Sequence, residues 1–429
     1  MQKPGASPIP IGSCAVRPTT PVGTQADLLD LKAQFPAFEQ APDAVFFDNA
    51  STTQKPDSVI AAIEKFYKQE CANAGRAIYA PAMRATQKIE TARQDVAKFL
   101  HAEASEIAFT AGATDSLNSA AWAWGLTNLN HQDEVMFCPQ DHSSAVSPWR
   151  TLQLCLSRLG REIKLVPFEI HPVGDYDLRS IERAKSERTR VICLSHIHHV
   201  FGLDMEISEI RKIVGADVLI SLDASQSVGH TTVDVQELDV DFASFSGHKM
   251  FAGNGVGVLF ARRQRHNDIV AVKTGGRSAP IASDMDATIR SGFIDKIECG
   301  TPNIPGIASM SAAIDFINGV GLNSIEKHVS FLTSQLVDGL SAIPGIVFAP
   351  GPVPCGCPGG FGILSFRFEQ ASSFDIASAL ANENIFVRSG IHCRADERNS
   401  EDFIRVSMHA YNTLEDLDIF IQTLSEVVA

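Results

Sequence analysis

Seven short apolar runs alternate with helix-like stretches between about residues 100 and 262, and this alternation constrains the fold more than any other feature. The runs are 106–110, 133–139, 163–168, 190–196, 218–223, 241–246 and 255–261. Each is a nearly continuous block of Val, Ile, Leu, Phe and Ala bounded by turn residues, the pattern of strands buried on both faces. Strands separated by helices imply a mainly parallel sheet covered on each side, an α/β architecture. Ligands of such sheets bind beyond the carboxyl ends of the strands. His142, His196, Asp223 and Lys249 all fall at or just past those ends.

The chain changes character after about residue 305. A helical stretch over roughly 306–343 leads to a Pro/Gly-rich turn, then a strand at 362–368 and a helix at 372–384. Two short strands (385–389 and 402–408) and a last helix from 414 complete it, with Thr413 and Asp416 spaced as a capping box. The expected division is an N-terminal arm over 1–27, a large domain over 28–305 and a smaller α+β domain over 306–429. The first residues of the large domain are free to pack on the small one.

Of the 429 residues, 45% are hydrophobic and 20% charged, as in ordinary globular proteins. A formal net charge of −14 argues against a nucleic-acid footprint. No apolar stretch is long enough to suggest a membrane span, and the Pro- and Thr-rich start lacks the pattern of a secretory signal. Nine irregularly spaced cysteines do not form a disulfide framework, which fits a reducing cytoplasm. Cys355 and Cys357 lack partners to complete a metal site, so no metal is expected.

Lys249 closes Ser-Phe-Ser-Gly-His-Lys, and Asp223 lies 26 residues upstream. A lysine beside a hydroxyl and an imidazole suits an aldehyde cofactor held as a Schiff base, and an upstream carboxylate suits its pyridinium nitrogen. Together they point to pyridoxal phosphate (PLP). Gly112-Ala113-Thr114 opens a helix, where backbone N–H groups and a hydroxyl can hold a phosphate; an ordinary helix cap reads the same. Gln226, Ser246, His248 and His142 complete the candidate cofactor set. Asp223 also reads as a common helix cap, and each histidine alone as a structural one.

Taken together, the motifs are recognisable. FFDNASTTQKP (46–56), FTAGATDSLN (109–118), DHSSAVSPW (141–149), SHIHHVFG (195–202), LDASQSVGH (222–230), the long block 233–260, ECGTPN (298–303), FVRSGIHC (386–393) and RVSMHAYNT (405–413) occur in the order of one family. The chain resembles the class V aminotransferase-like PLP enzymes of fold type I, and within them the group II cysteine desulfurases and selenocysteine lyases. This resemblance implies a seven-stranded large domain, a homodimer and a possible sulfur-acceptor protein. It makes Lys249 the Schiff-base lysine, which also moves protons at the substrate. Asp223 becomes the partner of the ring nitrogen, Gln226 of the phenolate oxygen, and His142 the group stacked on the ring. Ala113, Thr114, Ser246 and His248 would hold the phosphate, and Thr301 the phosphate of the neighbouring subunit. Arg405 would grip the substrate carboxylate, with Asn49 and Arg388 as further substrate-side candidates.

Cys393 follows Gly-x-His, where the resembling enzymes carry the thiol that attacks substrate sulfur. His392, Arg394 and Arg398 place basic groups beside it to favour the thiolate, and the polar stretch after it suits a mobile loop. The implied products are alanine and a persulfide on Cys393. The chain also departs from the family pattern. His199 stands where an asparagine usually lies near the phenolate oxygen, beside His198 in place of a small residue. Gly75 and Ser143 stand where histidines are common, and Ala113 replaces a hydroxyl residue. These departures leave open a C–S lyase, epimerase or aminotransferase acting on a specialised amino acid. A non-catalytic scaffold of the same fold is a third reading.

Overall fold

The computed structural model describes residues 31–75, 77–276, 292–351, 360–396 and 401–429. The expected arm over 1–27, and Cys14, Cys355, Cys357 and Arg398, lie outside the described residues. Thirteen strands are present among those described. In chain order they are β1 (Val45–Phe46), β2 (Ile107–Thr110), β3 (Glu134–Phe137), β4 (Lys164–Pro167), β5 (Thr189–Ser195), β6 (Leu219–Asp223) and β7 (Phe242–Ser246). There follow β8 (Gly257–Ala261), β9 (Ile346–Phe348), β10 (Ile363–Phe368), β11 (Ile385–Phe386), β12 (Arg388–Gly390) and β13 (Phe403–Ser407).

The seven apolar runs of the sequence form one seven-stranded sheet in the order β2-β8-β7-β6-β5-β3-β4. All neighbours are parallel except β8, which runs antiparallel to both β2 and β7. Successive residues of a strand face opposite sides of the sheet. Ile192 and Leu194 accordingly join one apolar cluster, and Val191 and Cys193 the other. Helices cover both sides, which explains why these runs are apolar without alternation.

The small body is a four-stranded antiparallel sheet, β12-β13-β10-β9. Its own core includes Leu336, Phe366, Leu380, Ile404 and Phe420. The stretch expected as one strand at 385–389 is split at Val387: β11 pairs with β1, and β12 with β13. The helical stretch is likewise two helices, Ile304–Val320 and Leu322–Ser341, broken at Gly321 with φ of 89°. The first packs Ile304, Ile307, Met310, Ile314 and Ile317 into the core beneath the large sheet. The second helix also adds Ile325 and Val329 to this core, while its Leu332, Leu336 and Leu340 join that of the small sheet. The capping box of the last helix, Leu414–Val428, is formed by Thr413 and Asp416 as expected.

One segment belongs to both bodies. β1 pairs with β11, and Ser407 N–H donates to Phe47 O at 2.7 Å. A few residues later Thr53 N–H donates to His248 O, and Phe251 N–H to Thr53 Oγ1. Residues 45–53 thus strap the small sheet to the turn that carries Lys249.

Candidate active site

The carboxyl ends of β2, β5, β6 and β7, and the loop after β3, meet the small body around a cavity of about 240 Å³. Ala113, Thr114, His142, His199, Asp223, Gln226, Ser246, His248, Lys249, Arg388, Cys393 and Arg405 all line it. Asn49 and Thr301 do not. Asn49 is fully buried; its amide donates to Ser407 O at 2.7 Å and to Asn412 Oδ1 at 3.1 Å, and it also accepts from Tyr411 Oη. With its groups so engaged, Asn49 supports the junction beneath the site instead of facing a substrate. Thr301 is exposed, three residues before the helix Ile304–Val320. His196 also stays outside the cavity wall, its backbone N–H donating to Asp223 O.

One end of the cavity is built for an anion. The helix Ala113–Asn128 begins at the end of β2 and presents its positive dipole there. Ala113 N–H donates to Ser246 Oγ at 2.7 Å, and the Thr114 and Ser144 hydroxyls are 2.9 Å apart. The turn lies close over β8 because residue 257 is glycine. A Cβ there would stand 2.4 Å from Gly112 Cα. Burial, with help from Lys249 and Lys55, lowers the His248 pKa to about 4, so it meets a ligand as a neutral imidazole.

Lys249 ends the turn after β7. Burial pushes its amine down to about 8; Asp223 opposes the shift, while Arg405 and Arg388 add to it. Asp223 is buried at the end of β6, with Oδ1 accepting from Ser225 N–H at 3.0 Å. His142 caps the helix Ser143–Arg158, its Nδ1 accepting from Ser144 N–H. Its ring meets that of His199 edge-on, with centroids 5.1 Å apart. Burial depresses the pKa of both imidazoles.

The opposite end carries two guanidinium groups. Arg405, buried in β13, donates to His199 O at 3.0 Å, Ser51 Oγ at 2.9 Å and Asp48 Oδ1 at 3.3 Å. Arg388 donates to the same Ser51 Oγ at 2.7 Å. Sequence reasoning did not single out Ser51 or Asp48. Their segment was visible as a motif, but nothing local says that its hydroxyl will bridge two arginines from the far end of the chain.

Cys393 lies at the cavity on a left-handed turn, with φ of 54° at His392 and 59° at Cys393. Its carbonyl accepts from Ser143 N–H at 2.8 Å, and Ala395 N–H donates to Asp141 O at 2.9 Å. These two bonds hold the backbone at 393–395 beside His142, while residues 397–400 of the polar stretch lie outside the described residues. The expected basic neighbours also differ. His392 is buried, bonded through Nε2 to Phe403 O, and its pKa falls to about 3, so it is uncharged at neutral pH. Arg394 is buried against Asp396. Burial lowers the Arg405 pKa to about 10, a shift that Asp48 and, more weakly, Cys393 oppose.

The chain matches the aminotransferase class-V family over residues 45–420. It belongs to that family. Among its relatives is a probable cysteine desulfurase of Halalkalibacterium halodurans, 33% identical over 92% of this chain and 97% of that protein. A cysteine desulfurase of Escherichia coli O127:H6 is 30% identical over the same shares. The apo structure of a cysteine desulfurase from Thermococcus onnurineus NA1 superposes with a TM-score of 0.84 at 29% identity, covering 93% of this chain and 97% of that one. These likenesses fit the fold type I reading of the sequence.

The residues present fit pyridoxal phosphate. The cavity holds an anion cradle at one end, an amine of lowered pKa at its wall, and a buried carboxylate with one oxygen taken by a backbone N–H. Gln226 Oε1, buried and without a partner among the described residues, adds an acceptor in the wall.

Proposed function

We propose that this protein is a PLP-dependent cysteine desulfurase, acting on L-cysteine or a close analogue such as selenocysteine. The observation that carries the reading is the meeting of Lys249, Asp223 and Cys393 around one cavity. A carboxylate, an amine and a thiol from distant parts of the chain meet there beside an anion cradle.

Bound PLP supplies an electron sink for the substrate Cα. The chain's own residues do the rest. The 112–114 turn, Ser246 and neutral His248 would hold the phosphate, and Asp223 would keep the ring nitrogen protonated. His142 would stack on the ring, with His199 as its neighbour in the cavity wall. Arg405 holds the substrate carboxylate through its guanidinium, with Arg388 beside it. Lys249, whose lowered pKa raises the share of free amine, would hold the cofactor aldehyde and is placed to move the substrate Cα proton. The Cys393 thiolate attacks the substrate sulfur. An S–S bond forms as the Cβ–S bond breaks, and the electron pair left on carbon is protonated to give alanine. The pinned backbone at 393 suits an acceptor that comes to the thiol, so a sulfur-accepting protein or a thiol reductant completes the cycle.

Thr301 is exposed and away from its own cavity, which supports a homodimer in which it reaches the partner's phosphate. The irregular cysteine spacing, which does not suggest a disulfide framework, supports a cytoplasmic site of action.

The deciding experiment is a visible absorption spectrum before and after L-cysteine, with alanine and sulfide measured in the same sample. Loss of the cofactor band with stoichiometric alanine is expected. A spectral change without alanine would move the reading to a C–S lyase, epimerase or aminotransferase.

A further inference from the structure

Cys393 lies between β12 and β13 of the small body, yet the backbone around it is held by the large one. The His392 carbonyl lies 3.0 Å from His199 Nε2. The Cys393 carbonyl accepts from Ser143 N–H at 2.8 Å, and Ala395 N–H donates to Asp141 O at 2.9 Å. These last two bonds form an isolated antiparallel bridge that sets Arg394 opposite His142. The thiol segment is thus laid as a one-residue strand along the loop that carries His142.

A contact outside the cavity completes the arrangement. Arg150 Nη1 donates to Ala395 O at 3.1 Å. Ser143 opens the helix Ser143–Arg158, and Arg150 follows it by two turns along the same face. Its guanidinium lies over the ring of Phe137, the last residue of β3, at 5.4 Å from the centroid. The loop itself is anchored from behind. The buried Asp141 carboxylate accepts from Tyr176 Oη at 2.7 Å and from Ser195 Oγ at 3.1 Å. Within the thiol segment, buried Arg394 grips Asp396 with two bonds, of 3.0 and 2.8 Å. Such bracing matters because His392 and Cys393 both stand at positive φ, a conformation that non-glycine residues keep only where their surroundings impose it.

We infer that residues 141–143 and Arg150 form a dock for the thiol segment, and that Arg150 is a positioning residue for Cys393. The inference rests on the desulfurase reading above. Arg150 does not line the cavity, so it acts on the thiol only through the backbone at 395. Without its bond the segment keeps the bridge but loses the brace on the C-terminal side, and the left-handed turn can relax away from His142. A displacement of reacting atoms by about 1 Å can cost about a hundredfold in rate. The earlier steps, cofactor binding and removal of the Cα proton, depend on Lys249 and Asp223 and do not involve the dock.

The test uses the PLP-loaded full chain. Arg150→Met keeps an apolar stem over Phe137 and removes the donor; Arg150→Lys restores one. Amide exchange at Ala395 without substrate is read by mass spectrometry with single-residue fragmentation. It is expected to quicken at least threefold in the methionine variant and to return toward the native rate in the lysine variant. In the methionine variant the kcat for alanine release from L-cysteine is expected to fall at least fivefold, while the spectral change on adding L-cysteine keeps its amplitude. Arg150→Ala serves the same purpose should the methionine variant fail to fold. Exchange unmoved by loss of the donor overturns the dock. Quickened exchange with kcat unmoved overturns the positioning role. A native protein that yields no alanine removes the desulfurase reading and with it the positioning role, while the exchange result still decides the dock.

Discussion

Gly257 gives a sharp test of how the anion cradle is held. It pairs with Thr110 on one side and Ser246 on the other. In Gly257→Ala the new Cβ would lie 2.4, 2.6 and 2.8 Å from Gly112 Cα, C and N. All three are backbone atoms with no rotamer to absorb the clash. Ordinary carbon contact begins near 3.5 Å, so the turn must retreat by about 1 Å. The same shift stretches the 2.7 Å bond from Ala113 N–H to Ser246 Oγ out of hydrogen-bonding range. Overpacking of this kind costs about 1–3 kcal/mol. If the displaced turn also forfeits one charge-assisted bond to the phosphate, about 1.5–3 kcal/mol, PLP binding weakens about ten- to a hundredfold. The assay is PLP titration followed by absorbance, with thermal melting alongside. Gly319→Ala is the control: it lies within a helix with nothing within 4 Å of its would-be Cβ. It should be neutral or stabilising by up to about 1 kcal/mol. Equal PLP affinity and equal melting temperature in Gly257→Ala would refute the argument.

Three other outcomes are expected. Lys249→Ala should abolish borohydride-stable attachment of PLP, read by mass spectrometry, while noncovalent PLP remains detectable. Cys393→Ser should keep the full cofactor spectrum yet lower alanine release from L-cysteine at least a hundredfold in a coupled assay; unchanged turnover would remove the persulfide step. The pH dependence of PLP capture follows from the Lys249 pKa of about 8. The neutral amine reacts, so its share at pH 7 is about one-tenth, against roughly one in 2,500 for an ordinary lysine near 10.4. Capture followed by stopped-flow absorbance should rise about tenfold from pH 6 to 7 and level off above about 8. A rise continuing steeply to pH 10 would show that burial does not lower this amine.

The part of the site that was legible in the sequence lies where local pattern and global fold agree. β6 and β7 are short apolar runs that end in polar residues, so Asp223 and the Ser246–Lys249 turn could be put at the carboxyl edge without knowing the sheet order. Cys393 and Arg405 were legible only through motif resemblance, because nothing local joins β13 to the cavity. What escaped was set by long-range contact. The two-residue β1 has no periodicity to read, and its pairing with β11 spans most of the chain. His392 looked like a source of positive charge because sequence shows proximity but not burial. Asn49 looked polar and available, yet its amide is consumed by Ser407, Asn412 and Tyr411.

The strap over residues 45–53 has a consequence for synthesis. Its partners are separated from it by nearly the whole chain: Phe386 for Phe47, and Ser407 for Asn49 and Ala50. Domains commonly fold as they leave the ribosome, N-terminal parts first. Here the large sheet can form while the strap still lacks its small-sheet partners, and Arg405 has yet to reach Ser51. The cavity therefore closes only after release of the last strand and helix. Ribosome-bound chains stalled before β13 should present the lysine turn without the far wall, and should hold PLP more loosely than the finished protein.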